Sequence, residues 1–370
     1  MNCDTFNYIF GLKKKFGEKW HDFDLVVTSE LKSIISECQS YDYNVLLEKM
    51  FGIFPEELDK CCRDNKIKLV IPRNRSRLKN PDYEKDSELL KLLPPPHLAN
   101  YEWRYTKKSA DALLYLLIPA RQNKNICCLG TPTLALEILQ LYDSVQPTLL
   151  DINSPLINEI RNSLFSSKIK SQVYDVRNEL PGQFKNKFDL VFINPPWYLD
   201  YYKVFINRAM ELLVKTGGEI VLPLFSPLAR HTSLRDLESL YAFLEVNGLN
   251  NISSLGKVSF VMPGFEKNVL QMKKVPEPPF DWRKAEMIKI VSNSNNFATI
   301  SEIQIEEKEW IRHYNSKKKS YRVVDIERLS DKSVIVQNKE CQQLDTLSRK
   351  EISLRHFDIW DENNQVITFR

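Results

Sequence analysis

A chain of 370 residues holds about two to three domains, and 43% hydrophobic with 27% charged residues is an ordinary globular composition. A net charge of +4, from 52 basic and 48 acidic residues, excludes a chain-wide polyanion-binding character and leaves local basic clusters to be weighed one by one. The seven cysteines include two adjacent pairs and no CxxC spacing, which argues against a disulfide framework and a structural zinc site, and no apolar run reaches the ~20 residues that cross a bilayer. The start, MNCDTFNYIFGLKKKFGEKW, lacks the charged-then-apolar order of a signal peptide, so the expected setting is a reducing cytoplasm without membrane or metal.

Residues 1–98 read as a small helical domain. DLVVTSELKSIISECQSY has helical apolar spacing with Thr28 or Ser29 as a cap, NVLLEKMFGIF follows, and PEELDKCCRDN opens with proline and two acids, a good helix start. KIKLVIP reads as a short strand, and helices followed by a strand suggest a winged-helix module. Its basic segment, with Arg73, Arg75, Arg77 and Lys79, would sit at the wing; it is either a contact with phosphates, from nucleic acid or another partner, or a solvated loop. The stiff PPPHL at 94–98 marks the first boundary.

Residues 99–275 alternate helical and buried-strand patterns, which predicts a doubly wound parallel sheet with helices on both faces. KKSADALLYLLIPAR, with Thr106 as its cap, leads to strand NICCLG; LALEILQLY leads to PTLLDIN; SPLINEIRNSLF leads to KSQVYDV; KFDLVFI is a fourth strand; YKVFINRAMELLVKT leads to a fifth, GGEIVLPLF. GKVSFVMPGFEKNVLQMKKV reads as an antiparallel edge hairpin turning at Pro263-Gly264. PEPPFDW marks a second boundary, and 276–370, with runs such as AEMIKIV, YRVVDIE, KSVIVQ and QVITFR, reads as a small mixed or mostly β domain.

Four features fall at the C-terminal ends of successive strands, the edge where open α/β sheets bind ligands. Gly130-Thr131-Pro132-Thr133 follows the first strand, where glycine lets a nucleotide-like ligand approach the backbone; the loop also reads as a plain turn into a helix. Asp151 ends the second strand at the spacing from Gly130 that suits a carboxylate accepting two ribose hydroxyls, or it caps the next helix. Asp175 ends the third, where a side chain can bond an adenine amino group. Asn194-Pro195-Pro196-Trp197 follows the fourth and is the most specific signal. Two prolines fix the backbone, so the Asn194 side-chain oxygen and a proline carbonyl can accept the hydrogens of one amino group and leave its lone pair for in-line attack. Trp197 can stack on a planar acceptor or cover a cation. Cys127 and Cys128 read as small buried residues of the first strand, and Tyr101-Glu102-Trp103-Arg104-Tyr105-Thr106 as helix-start packing or a lid.

The stretch from Tyr101 to about Leu224 resembles the branched-chain polyamine synthases, the N4-bis(aminopropyl)spermidine synthase family. The resemblance rests on Tyr174-Asp175-Val176-Arg177 with Leu180-Pro181 and Phe188-Asp189, on the aspartate after the second strand, and on the Pro-Pro-aromatic turn after the fourth. It implies a Rossmann-like class I methyltransferase fold preceded by a winged-helix domain, and S-adenosylmethionine (SAM) or decarboxylated SAM as donor. In that family the first loop is acidic, Gly-Asp-Asp-Asp, and the turn is Asp-Pro-Pro-Tyr; here they are Gly130-Thr131-Pro132-Thr133 and Asn194-Pro195-Pro196-Trp197, both less negative. The Asn form is similar to the motif of amino-directed methyltransferases.

The sequence therefore leads first to a SAM-dependent N-methyltransferase acting on an amine or amide acceptor. An aminopropyltransferase using decarboxylated SAM is the alternative, and a non-catalytic binding protein that keeps the fold is the third reading.

Overall fold

The computed structural model describes residues 3–71, 93, 103–119, 124–215, 217–263, 266–267, 270–271, 274–292, 311–314, 320–323 and 359–361. The chain divides into two compact units, Met1–Pro94 with Arg104–Val261 and Pro278–Ile305, and Pro95–Trp103 with Met262–Glu277 and Glu306–Arg370.

The first unit begins with four helices, α1 (Asp4–Phe16), α2 (Phe23–Cys38), α3 (Tyr43–Lys49) and α4 (Pro55–Asp64). Helix α1 buries Phe6, Ile9 and Leu12 along one face, the spacing of an amphipathic helix, and its ring contacts go to Tyr241, 5.1 Å from Phe6 and 5.4 Å from Phe10. The cap of α2 is Asp22, whose side chain accepts from Leu25 N–H; Thr28 and Ser29 lie inside the helix, a correction to the sequence reading. The described residues of KIKLVIP, 66–71, form no strand: Val70 makes one isolated parallel bridge with Asp42. The basic segment with Arg73, Arg75, Arg77 and Lys79, and the PPPHL boundary, lie outside the described residues.

The rest of the unit is a seven-stranded sheet in the order β3-β2-β1-β4-β5-β7-β6. Its strands are β1 (Ile126–Leu129), β2 (Thr148–Asp151), β3 (Lys170–Val173), β4 (Leu190–Ile193), β5 (Glu219–Phe225), β6 (Ile252–Ser259) and β7 (Lys284–Val291). The first five pair in parallel; β5 with β7 and β7 with β6 are antiparallel. Strands β1, β2 and β4 are buried along their whole length, the continuous apolar run that coverage on both faces demands. The helices are α5 (Lys107–Leu117), α6 (Pro132–Leu141), α7 (Ser154–Asn162), α8 (Leu199–Leu212) and α9 (Ser233–Val246). Thr106 caps α5 as expected, its hydroxyl accepting from Ser109 N–H. This is the doubly wound Rossmann-like fold that the βα alternation predicted.

The antiparallel edge is built differently from the expected hairpin. Strand β6 does not turn back at Pro263; its partner β7 is the AEMIKIV run that sequence placed in the C-terminal region, and it lies between β5 and β6. A bulge between Ser254 and Gly256, with Gly256 at φ 100°, shifts the β6–β7 register. In the second unit, β8 (Ile311–Tyr314), β9 (Ser320–Val323) and β10 (Ile359–Asp361) form a three-stranded antiparallel sheet. KSVIVQ and QVITFR lie outside the described residues. No helix among the described residues is long and apolar enough to cross a membrane.

Candidate functional site

Parallel pairing of β3, β2, β1, β4 and β5 brings their C-terminal ends to one edge, so Asp175, Asp151, Gly130, Asn194 and Ser226 follow one another along it in strand order. The chain reverses its direction of travel across the sheet between β1 and β4, and such switch points are where open α/β sheets hold ligands. Gly130 and Asn194 flank that point.

Gly130 has φ +65°, the left-handed region that glycine enters without cost, and its N–H is bonded to Leu150 O at 2.8 Å. A Cβ there would stand 3.1 Å from Phe205 Cε1 and 3.9 Å from Asn194 O. The loop after β1 therefore lies in van der Waals reach of the turn after β4, and the missing side chain is a condition of its closer approach to Phe205 of α8. Thr131 is buried, and its hydroxyl finds no oxygen or nitrogen partner among the described residues; toward the Cys128 sulfur, a weak acceptor, it can only donate. Burial pushes the Cys128 thiol up to about 12, with the Thr131 hydroxyl acting against the rise, so the sulfur stays protonated. Cys127 and Cys128 are both fully buried, as the sequence suggested.

Asp151 is buried at the end of β2. Its Oδ1 accepts from Asn153 N–H at 2.8 Å, which folds the loop back over the strand end. The cap of α7 is Asn153, accepting from Leu156 N–H, and not Asp151. The Asn153 side-chain nitrogen is buried without a hydrogen-bond partner among the described residues. A buried donor here and a buried hydroxyl at Thr131, both short of partners on the same sheet edge, suit a ligand rich in hydroxyls and ring nitrogens, which is what an adenosyl group offers. With the bare backbone at Gly130 and the carboxylate of Asp151, the residues fit such a group.

Asp175 stands just past the end of β3, where the sequence placed it, and its carboxylate already has a partner. Its carboxylate is gripped by Arg177, with Nη2 at 2.5 Å and Nε at 3.0 Å, and it also accepts Arg177 N–H at 2.9 Å. An adenine amino group would share this carboxylate with Arg177, a competition invisible from the position at the strand end alone.

In the turn after β4, Pro195 and Trp197 are buried, while Asn194 and Pro196 are half-buried and reachable. Trp197 is only 6% exposed. Its ring lies 6.1 Å from Phe225 and 5.8 Å edge-on from Phe260, and the Arg283 guanidinium sits 3.8 Å from its centroid. The cation it covers is therefore one of the protein's own, and the indole is committed to packing. Arg230 repeats the theme, 4.8 Å over Tyr198 and 4.9 Å over Phe225, while Asp236 accepts from its Nη2 at 2.6 Å. Neither arginine was found from sequence, since neither lies in a motif and their partners are distant along the chain. A further hidden feature is Glu137 of α6, a fully buried acid pairing with Lys107 at the start of α5. Burial pushes its carboxyl up against the pull of Lys107.

The family described as the branched-chain polyamine synthase A C-terminal domain matches residues 122–313, just over half of the chain. The crystal structure of branched-chain polyamine synthase from Thermus thermophilus, a complex with N4-aminopropylspermidine and 5′-methylthioadenosine, superposes with a TM-score of 0.53 at 14% identity, over 83% of this chain and 97% of that one. Its C9 mutein, with the same two ligands, gives 0.55 at 14% identity over 80% and 93%. An uncharacterised protein of Methanocaldococcus jannaschii is 42% identical over 50 residues, 14% of this chain and 13% of that relative's length.

Proposed function

The chain belongs to the branched-chain polyamine synthase A C-terminal domain family, and from that premise we propose that it transfers an alkyl group from a SAM-type sulfonium donor to an amino nitrogen. The observation that carries the reading is the meeting of the Gly130 loop with the Asn194-Pro195-Pro196 turn at the switch point of the sheet.

A sulfonium donor supplies an alkyl carbon ready for displacement. Gly130 and Thr131 hold its adenosyl portion beside the backbone, and Asp151 accepts the ribose hydroxyls. The Asn194 side-chain oxygen and the Pro195 carbonyl accept the hydrogens of the incoming amino group, which leaves the lone pair to form the N–C bond as the donor's C–S bond breaks and the neutral thioether leaves; the alkylated nitrogen then gives its proton to solvent. The two prolines keep both acceptors fixed, so little reorganisation accompanies the reaction. Cys128, held protonated, does not compete as a nucleophile.

Two finer readings each have support. Methyl transfer from intact SAM is favoured by the uncharged Asn194 and by the two guanidiniums seated on Trp197 and Tyr198. Aminopropyl transfer from decarboxylated SAM is favoured by family membership. Calorimetric titration with SAM, decarboxylated SAM and 5′-methylthioadenosine separates them, paired with label transfer from each donor to spermidine and to adenine-containing RNA. Failure to bind any of the three adenosyl compounds would overturn the transferase reading and leave a non-catalytic protein that keeps the fold.

A further inference from the structure

We propose that Arg283 is a positioning residue of this site. Wedged between Phe54 of the N-terminal helices and Trp197 of the catalytic turn, it makes the helical region a working part of the transferase.

Arg283 is 8% exposed and immediately precedes β7. Its guanidinium carbon lies 3.8 Å from the Trp197 centroid, a stacking distance, and 5.9 Å from that of Phe54. Its backbone acts on the same indole from another side. Arg283 O accepts Phe260 N–H at 3.0 Å, and the Phe260 ring stands edge-on to Trp197. One residue thus fixes two of the surfaces that enclose Trp197.

The N-terminal helices are tied to this point by several contacts. Phe54 packs on Trp282 with centroids 4.8 Å apart. Gly52, at φ +67°, presses so closely that a Cβ there would lie 2.8 Å from Lys284 O and 2.7 Å from Ser226 Cβ. Ser226, the first residue after β5 on the ligand-binding edge, bonds Phe51 O through its hydroxyl. The loop between α3 and α4 therefore touches the residues flanking Arg283 and the strand end beside the turn.

A planar guanidinium stacked on an indole away from water holds the ring's tilt as well as its place, and a flexible ammonium does not reproduce this. Between Trp197 and Asn194 stand two prolines whose φ angles are fixed, so a shift of the Trp197 backbone, following loss of the contacts that seat its ring, is passed along the turn toward Asn194. Misplacement of a reacting group by about 1 Å costs on the order of a hundredfold in rate.

The inference rests on the transferase reading for its activity arm only. In the full chain, Arg283→Lys keeps the charge and loses the plane, Arg283→Met keeps the bulk, and Phe54→Leu removes the outer ring. Label transfer to spermidine or RNA is expected to fall about a hundredfold in both Arg283 variants and about tenfold in Phe54→Leu through kcat, with S-adenosylhomocysteine affinity within threefold of wild type. Independently of activity, the near-UV circular dichroism bands absent from Trp197→Phe should collapse in Arg283→Met and weaken in Arg283→Lys. Wild-type kcat in Arg283→Lys, or intact Trp197 bands in Arg283→Met, overturns the proposal. A wild-type chain inert with every donor defeats the transferase reading instead, and the spectra then decide the positioning claim.

Discussion

Glu286 joins the sheet to the N-terminal helices, and its removal has a calculable effect. It lies on β7 at 2% exposure. Its Oε1 accepts Asp4 N–H at 2.8 Å, and its Oε2 accepts Thr5 N–H at 2.7 Å and the Cys3 thiol at 3.4 Å. These amides open α1, whose N-cap Cys3 supplies no side-chain cap, so a carboxylate from another element does the capping. Glu286→Gln puts an NH2 where one amide needs an acceptor. A buried N–H left without a partner costs about 1–3 kcal/mol, and losing negative charge at a helix start costs about 0.3–2 kcal/mol. Relief of the buried charge offsets part of this, leaving about 2 kcal/mol, against about 0.5 kcal/mol or less for an unremarkable surface change. Burial pushes the Glu286 carboxyl up, but hydrogen bonds from Ser254, Thr5 and Asp4 outweigh it and hold the folded value below the ordinary one. A depressed folded value means the contribution is complete above the unfolded value and is lost as pH falls through the folded one. The urea midpoint of the variant should lie below wild type at pH 7, and the gap should close toward acid. Amide exchange in α1 should accelerate more than in β1. A variant within 0.5 kcal/mol of wild type at pH 7, or one whose deficit persists unchanged in acid, refutes the reasoning.

Gly130→Ala places a methyl at φ +65° and 3.1 Å from Phe205 Cε1, so S-adenosylhomocysteine affinity by calorimetry should weaken at least tenfold, for a stability cost of about 1–2 kcal/mol in urea melts. Asn194→Ala removes the contact to the acceptor's amino group; label transfer should fall on the order of a hundredfold or more, with S-adenosylhomocysteine affinity within about tenfold of wild type. Gly52→Ala, with its Cβ 2.7 Å from Ser226 Cβ at φ +67°, should destabilise by about 3 kcal/mol by chemical denaturation, from strain and overpacking together.

The βα units are legible because β1, β2, β4 and β5 are short, largely apolar runs closed by turn signals and each helix has its own period, while the polar β3 is read from its place between them; Thr106, Gly130 and Asn194 lie where these local rules put them. What failed was non-local. Strand β7 was assigned to a separate region because 24 residues, Phe260 to Arg283, part it from β6, and its proline-rich stretch looks like a linker. In helix α1 the basic run at 13–15 obscures the Phe6, Ile9, Leu12 stripe. Thr28 and Ser29 drew the cap away from Asp22, although Phe23, Val26 and Val27 already continue the buried face. At the site, a motif marks which residues reach the edge but not what else reaches them. Arg177 on Asp175 and Arg283 on Trp197 are tertiary facts without a sequence period.

The charge around the turn leads to a last prediction about the acceptor. The family resemblance leads one to expect acids at the first loop and the turn, suited to a polyamine; here Gly130 to Thr133 carries none, and the turn carries Asn194. Arg230 and Arg283 stand on the aromatic rings beside it, Arg230 with Asp236 as counter-ion. Two like charges about 4 Å apart repel by about 4 kcal/mol at an effective dielectric of 20, and by less with distance and pairing. A triamine entering beside these guanidiniums gains less from the turn than it would from an aspartate, whereas an amine with a single charge has less to lose. Salt reads the difference directly. If carboxylates hold a polycation, KM for spermidine rises steeply between 50 and 300 mM salt, as screening about 8–10 Å in range sets in. If the guanidiniums dominate, KM for spermidine stays flat or falls over that range, and a monoamine of similar length is used with an equal or better kcat/KM. A steep rise for spermidine, together with rejection of the monoamine, would return the site to polycation binding and place the responsible acids outside this turn.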